Sequence, residues 1–294
     1  MEFRLGLACL LSSAALAAAA DRHIVFERDQ AVWIANLDGT AEKKVADGIF
    51  PAISPDGTRV AFTSVTESGT SSTRQIAVID LATNRVNRLK DVPTDNSYYP
   101  SWSPDGTRLL FTLRVHEVWD LALIKPDGSE FRTLKKGSPD RVTFYSPCWA
   151  PDGKSIFCQD MTTVFQLGLD GAVINQWNVE KVIPNGNMSG DGRINVSPDG
   201  KLLLLSIDMG EEANRKNWDG PVPALWTFEM ATQKAVRVTP ASLFGWDGCW
   251  MDDENILFLS QTANETTASI NRISITGRNF KRLIGNARMP GVSP

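Results

Sequence analysis

Apolar residues come in short bursts along this chain, broken at regular intervals by Pro, Asp and Gly. The one longer run, Leu5 to Leu16, follows a lone Arg4 and closes on Ala18-Ala19-Ala20. A positive start, an apolar stretch too short to span a bilayer and a small-residue end predict a secretory signal peptide over residues 1–20, cleaved after Ala20. The competing reading is a lipid anchor at Cys9, after Gly6-Leu7-Ala8. Beyond Asp21 no apolar run has the length of a membrane span, so the mature chain is expected to be soluble.

The remaining bursts read as strands. Ser54-Pro55-Asp56-Gly57-Thr58-Arg59 recurs as Ser103-Pro104-Asp105-Gly106-Thr107-Arg108, Ala150-Pro151-Asp152-Gly153-Lys154 and Ser197-Pro198-Asp199-Gly200-Lys201. A degenerate copy follows at Met251-Asp252-Asp253-Glu254-Asn255, after an insertion near 209–221. Trp102, Trp149 and Trp250 stand just before three of these corners. Pro presets φ at such a corner, Asp bonds the backbone ahead of it, and Gly supplies a positive φ.

Each unit predicts four strands: one ending at the corner, an apolar one such as Arg59 to Thr63, a third such as Trp119 to Gly128, and a short polar-alternating one such as Arg85-Val86-Asn87-Arg88-Leu89. No segment keeps a helical period. Four strands per unit at this spacing predict propeller blades, the competing fold being a two-sheet sandwich. Five units run from about Ile49 to Leu283. Arg288–Val292 supplies a first strand, and His23–Val45 supplies the three that complete a sixth blade. The expected fold is therefore all-β, a six-bladed β-propeller over residues 21–294. Its last blade is closed by one C-terminal and three N-terminal strands, which leaves no exposed sheet edge at the seam.

Composition narrows the function. Formal net charge is −4 and no basic run occurs, which argues against nucleic acid or an anionic membrane as partner. Three cysteines remain after the leader, so at most one disulfide is available. Cys158 takes the place of Phe62 and Phe111 and reads as a core thiol; whether it bridges to Cys148 stays open.

The Ser-Pro-Asp-Gly corner, the Trp before it and the Asp-Gly end of the third strand resemble the PD40, or TolB-like, repeat. The resemblance covers essentially the whole mature chain. It implies a six-bladed, periplasmic or secreted propeller. The family includes the TolB component of the Tol–Pal system, propellers attached to peptidases, and a lyase acting on pectin fragments. Strand-like sequence begins at His23 and the repeat runs to Pro294, so neither the α/β domain that TolB carries nor a peptidase domain is expected here.

Motifs for chemistry are sparse. No Gly-x-Ser-x-Gly, His-Glu-x-x-His or phosphate loop occurs, and no cofactor is expected. The two histidines, His23 and His116, fall toward opposite faces, which disfavours the histidine-rich manganese site of the resembling lyase. Asp56, Asp105, Asp152 and Asp199 repeat once per corner and read as turn residues. Asp208, Glu211, Glu212 and Asp219 offer calcium ligands, but Arg215 and Lys216 among them favour a charged surface loop.

The connections that break the repeat gather on the face opposite the corners. They carry Tyr98, Tyr99, Arg114, His116, Arg141, Phe144, Tyr145, Asn185, Asn187, Arg193, Trp218, Trp246 and Asp247. Aromatic and Arg side chains on loops held by a rigid scaffold predict an interaction surface; the plain alternative is a solvated loop set capping the blades. The expected role is a non-enzymatic binding module of the bacterial cell envelope, contacting a protein or envelope component. The alternative is a carbohydrate-active or other small-molecule enzyme using a central pocket on that face.

Overall fold

The computed structural model describes residues 22–138, 143–212, 218 and 220–293. The segment expected to be a signal peptide, Arg141 and Asp219 lie outside them. Six antiparallel sheets stand around one axis. Blades 1, 2, 3 and 5 begin with inner strands Ile49–Ile53, Ser97–Trp102, Tyr145–Trp149 and Gly245–Trp250, each followed outward by three more. Blade 6 orders Arg288–Val292, His23–Arg28, Ala31–Asn36 and Lys43–Asp47 side by side, the closure expected from the sequence. Ile24 opposes Val292 and Val25 opposes Gly291. The Ser293 hydroxyl accepts from the His23 backbone N–H at 3.0 Å.

Alternation along the strands sends apolar side chains into the seams between blades rather than into one central core. Six apolar clusters result, one per seam. Ala61, Ile76 and Val78 of blade 1 meet Trp102, Leu109 and Phe111 of blade 2. Val25 and Val32 of blade 6 meet Ile53, Val60 and Phe62 of blade 1, which closes the circle. Cys158 is fully buried in the seam between blades 2 and 3. Cys148, Cys158 and Cys249 are all free thiols.

The corners behave as the sequence requires. At Asp105 one carboxylate oxygen accepts from the Ser103 hydroxyl at 2.6 Å, the Thr107 backbone N–H at 3.0 Å and the Thr107 hydroxyl at 2.8 Å. Gly106 completes the turn at φ +67°. Asp56 repeats the set with Ser54 and Thr58.

Blade 4 departs from the pattern. Its inner strand is split into Gly186–Asn187 and Ile194–Val196, both paired with Leu202–Glu212. A single helical turn, Val179–Val182, precedes the split, capped by Asn178 accepting from the Lys181 N–H. Two hairpins are longer than the rest: Arg59–Ser68 with Ser71–Asp80 in blade 1, and Leu202–Glu212 with Pro221–Glu229 in blade 4. Their extra length lies on the face opposite the corners.

Candidate functional site: an axial ring between two faces

Inner strands of five blades carry the same irregularity. The register slips between Ile49 and Ala52, Tyr98 and Ser101, Tyr145 and Cys148, Trp246 and Cys249, and in the pairing of Arg288–Val292 with His23–Arg28. The extra residue in each case is Phe50, Tyr99, Ser146, Asp247 or Met289, at φ between +47° and +54°. A β-bulge of this kind turns one side chain out of the pleat. Pro follows four of these residues and Gly248 the fifth, so neither a Pro ring nor a bare Gly competes for ladder pairing there. In blade 4 the excursion that splits the strand does the same job and delivers Arg193.

Phe50, Tyr99, Ser146, Arg193, Asp247 and Met289 thus form one ring, each three residues before the end of its inner strand. Below the ring lies a cavity of about 440 Å³. Its walls are Trp102, Trp149, Trp250, Cys148 and Cys249, and it reaches the corner prolines Pro55, Pro104, Pro151 and Pro198. Arg22 stands at that outer end, where its Nε donates to the Ser293 carbonyl at 2.9 Å. The cavity therefore lies on the corner side of the ring, whereas the sequence led us to expect a pocket on the loop-rich face.

Charge is concentrated at the ring. Asp247 is 6 % exposed, and its backbone N–H donates to the Ser206 hydroxyl at 2.9 Å. Its carboxyl has no hydrogen-bond partner among the described residues. Burial pushes it up from 3.8 to about 7, against the pull of Arg193 and Arg288 and with the push of Asp191 and Glu27. Glu27 is also raised by burial, although it accepts from the Phe50 N–H. Burial raises Asp208 too, with Asp191 adding to it. The Tyr99 phenol is lifted well above its ordinary range by burial and by the nearby Asp191 and Asp247 carboxylates, so it stays a donor. Arg193 reaches across from blade 4 to blade 6, donating from Nη1 to the Pro290 carbonyl at 2.7 Å.

On the loop-rich side of the ring, aromatic side chains form an arc over blades 1 to 3. Phe50 and Tyr99 lie 4.2 Å apart by ring centroid, Tyr98 meets Trp119 edge-on at 5.1 Å, and Trp119 leads to Tyr145 at 6.3 Å. The Arg74 guanidinium sits 5.8 Å from the Tyr98 ring. Across the axis Trp246 packs on Trp218 at 5.0 Å, and Trp218 donates to the Pro221 carbonyl.

The structure brings Tyr98, Tyr99, Tyr145, Arg193, Trp218, Trp246 and Asp247 into these two neighbouring groups. It places others elsewhere. Phe144 is 3 % exposed, packed edge-on against Phe165 in the seam between blades 2 and 3, and so belongs to the core rather than to a face. His116 is exposed in the tip of a hairpin at φ +47°, and Arg114 pairs with Glu117 of the same tip. Neither lines the cavity. Asn187 is exposed beside Asp208 in strand register. Phe50, Ser146, Met289, Trp119 and Arg74 were not expected from the sequence. The first three were legible in principle, since they hold the same repeat position as Tyr99 and Asp247. Among the described residues no three His, Cys, Asp or Glu side chains group as a metal site.

A family model for the TolB β-propeller domain matches residues 21–294. The chain belongs to the TolB β-propeller family. As a family member it is similar in fold to TolB from Acinetobacter baumannii, with a TM-score of 0.69 at 18% identity over 93% of this chain. The chain spans 66% of the length of that TolB. Putative TolB from Agrobacterium tumefaciens aligns with a TM-score of 0.62 and 16% identity over 91% of both chains. An oligogalacturonate lyase from Vibrio parahaemolyticus aligns with a TM-score of 0.54 and 14% identity, over 86% of this chain and 74% of the lyase. At these identities the likeness to solved structures is one of fold. No curated protein matches the chain significantly by sequence. Among the described residues no helix is long and apolar enough to cross a membrane.

Proposed function

We propose that this TolB-family propeller is a non-enzymatic interaction module of the bacterial cell envelope, exported by a signal peptide cleaved after Ala20. The partner is a protein or envelope component held on the loop-rich face. The observation that carries this reading is the aromatic arc from Phe50 through Tyr99, Tyr98 and Trp119 to Tyr145, flanked by the two long hairpins. Large, stiff aromatic side chains beside Arg74 are the residue types that dominate binding energy at protein interfaces. Held on paired strands, they lose little entropy on docking.

The test is capture from envelope extracts on immobilised wild-type protein, compared with Tyr98→Ala, Trp119→Ala and a variant with 209–221 replaced by a short turn. Loss of the same bound protein in the arc variants, with unchanged thermal unfolding, supports the reading. Undiminished capture by both Tyr98→Ala and Trp119→Ala overturns it. N-terminal sequencing of exported protein, beginning at Asp21, checks the leader.

A second reading, a small-molecule enzyme, is favoured by one observation: Asp247 is a buried, unpartnered carboxyl that titrates near neutrality beside Arg193 and Tyr99. Substrate turnover abolished by Asp247→Asn would establish it.

A further inference from the structure

Arg193 is the cationic side chain at the inner end of the axial cavity, as Arg22 is at its outer end. Arg193 uses Nη1 on the Pro290 carbonyl, while its Nε and Nη2 have no hydrogen-bond partner among the described residues. Ser146, a residue 5 % exposed, lines the same cavity, and its hydroxyl is buried beside it without a partner. Tyr99 lines it as well, and its raised pKa keeps the proton on its phenol. These three come from adjacent blades 2, 3 and 4. A buried hydroxyl without a partner is costly, and one cation with two hydroxyls answers the needs of a desolvated carboxylate.

The rest of the cavity is apolar. Trp102, Trp149 and Trp250 stand around it with Met251, Val292 and the corner prolines. Those indoles cannot swing away, because each is tied to the preceding blade through its N–H. A preformed apolar chamber of about 440 Å³ with a few converging polar groups has the size and character of a small-molecule site.

We propose that the axial cavity binds a small amphiphilic carboxylate, with its anionic end on Arg193, beside Tyr99 and Ser146, and its alkyl or aryl body among the tryptophans and prolines. The site lies on the corner side of the ring and shares Phe50 and Tyr99 with the aromatic arc, whereas Tyr98, Trp119 and Tyr145, which carry the interaction proposed for that arc, do not line it. Asp247 sets its pH dependence. The titratable groups facing that carboxyl are Arg193, Arg288, Asp191, Glu27, Tyr99 and Cys249. Once Asp247 ionises it competes with the ligand for Arg193, so affinity falls as pH rises through about 7.

The experiment titrates the mature wild-type chain with octanoate, octanamide and octanol, following tryptophan fluorescence and heat. Octanoate is expected to bind saturably and about tenfold more tightly than its uncharged analogues at pH 6, and more weakly at pH 8. Arg193→Gln should erase the preference for the acid while leaving octanol binding in place. Asp247→Asn should flatten the pH dependence. Equal affinities of octanoate and octanamide for the wild-type chain, or no saturable binding of any of the three, would overturn the proposal without recourse to a variant. Capture of a partner by the loop-rich face is read out separately, so failure of one reading leaves the other measurable.

Discussion

Trp102 donates its indole N–H to the backbone carbonyl of Ala52 in the preceding blade, at 3.0 Å. Trp149 does the same to Ser101 at 3.2 Å, and Trp250 to Asn195 at 3.4 Å. The tryptophan before the corner therefore packs a seam and also pins it. Trp102→Phe keeps the ring and loses the bond, leaving the Ala52 carbonyl short of a donor, and should cost about 1 kcal/mol in urea unfolding. Trp102→Ala also opens a hole in the seam and should cost about 3–5 kcal/mol. If the two variants unfold at the same midpoint, the seam is not packed as described.

Corner aspartates act as acceptors for their own turns. Asp105→Asn keeps one carbonyl oxygen and should change thermal stability little. Asp105→Ala removes three bonds at once and should cost roughly 1–2 kcal/mol, comparable to the loss of a helix cap. No loss of ligand or partner binding is expected from either, since the corner carboxylate only shapes the chain.

Asp247 gives stability a pH signature. Its carboxyl titrates at about 7 in the native state against an ordinary 3.8. Between those values the native state holds a proton that the unfolded chain has released. Stability therefore falls as pH rises across that window and levels off above about 7. The full span amounts to at most about 4 kcal/mol. Asp247→Asn should flatten this slope, matching wild type near pH 4 and exceeding it at pH 8. Parallel wild-type and mutant curves from chemical denaturation at several pH values would show that Asp247 is not buried as described.

Blade 6 is the fastener of the ring. Removing residues 288–294 exposes the edge of His23–Arg28 and uncovers Val25, which touches Gly291 and packs against Ile53 and Phe62. The truncated chain should lose cooperative unfolding and self-associate through the bare edge, visible by size-exclusion chromatography. A monomer with an unchanged melting transition would contradict this closure.

Much of the architecture is local, and so was readable in the chain. Pro, Asp and Gly at fixed spacing reverse the backbone wherever they occur, and alternating apolar residues between corners can only be half-buried strands. Four strands per period, with three left over at the N-terminal end and one at the C-terminal end, then leave one way to close the circle, which the pairing of Ile24 with Val292 displays. The turn role of Asp105 followed from repetition itself. Which side chains meet across the axis was not local. Phe144 and Tyr145 are neighbours in sequence, yet the pleat sends one into a seam and the other toward the aromatic arc. Arg193 looks like any polar loop residue until the split strand of blade 4 carries it over the axis to Pro290. Asp247 reads in sequence as one more polar residue of the loop-rich face, until a bulge and the surrounding blades take it out of water. Periodicity determined the blades; only the closed ring, by bringing residues of non-adjacent blades together in a space with little solvent, decided the cavity, its donors and the carboxyl that titrates beside them.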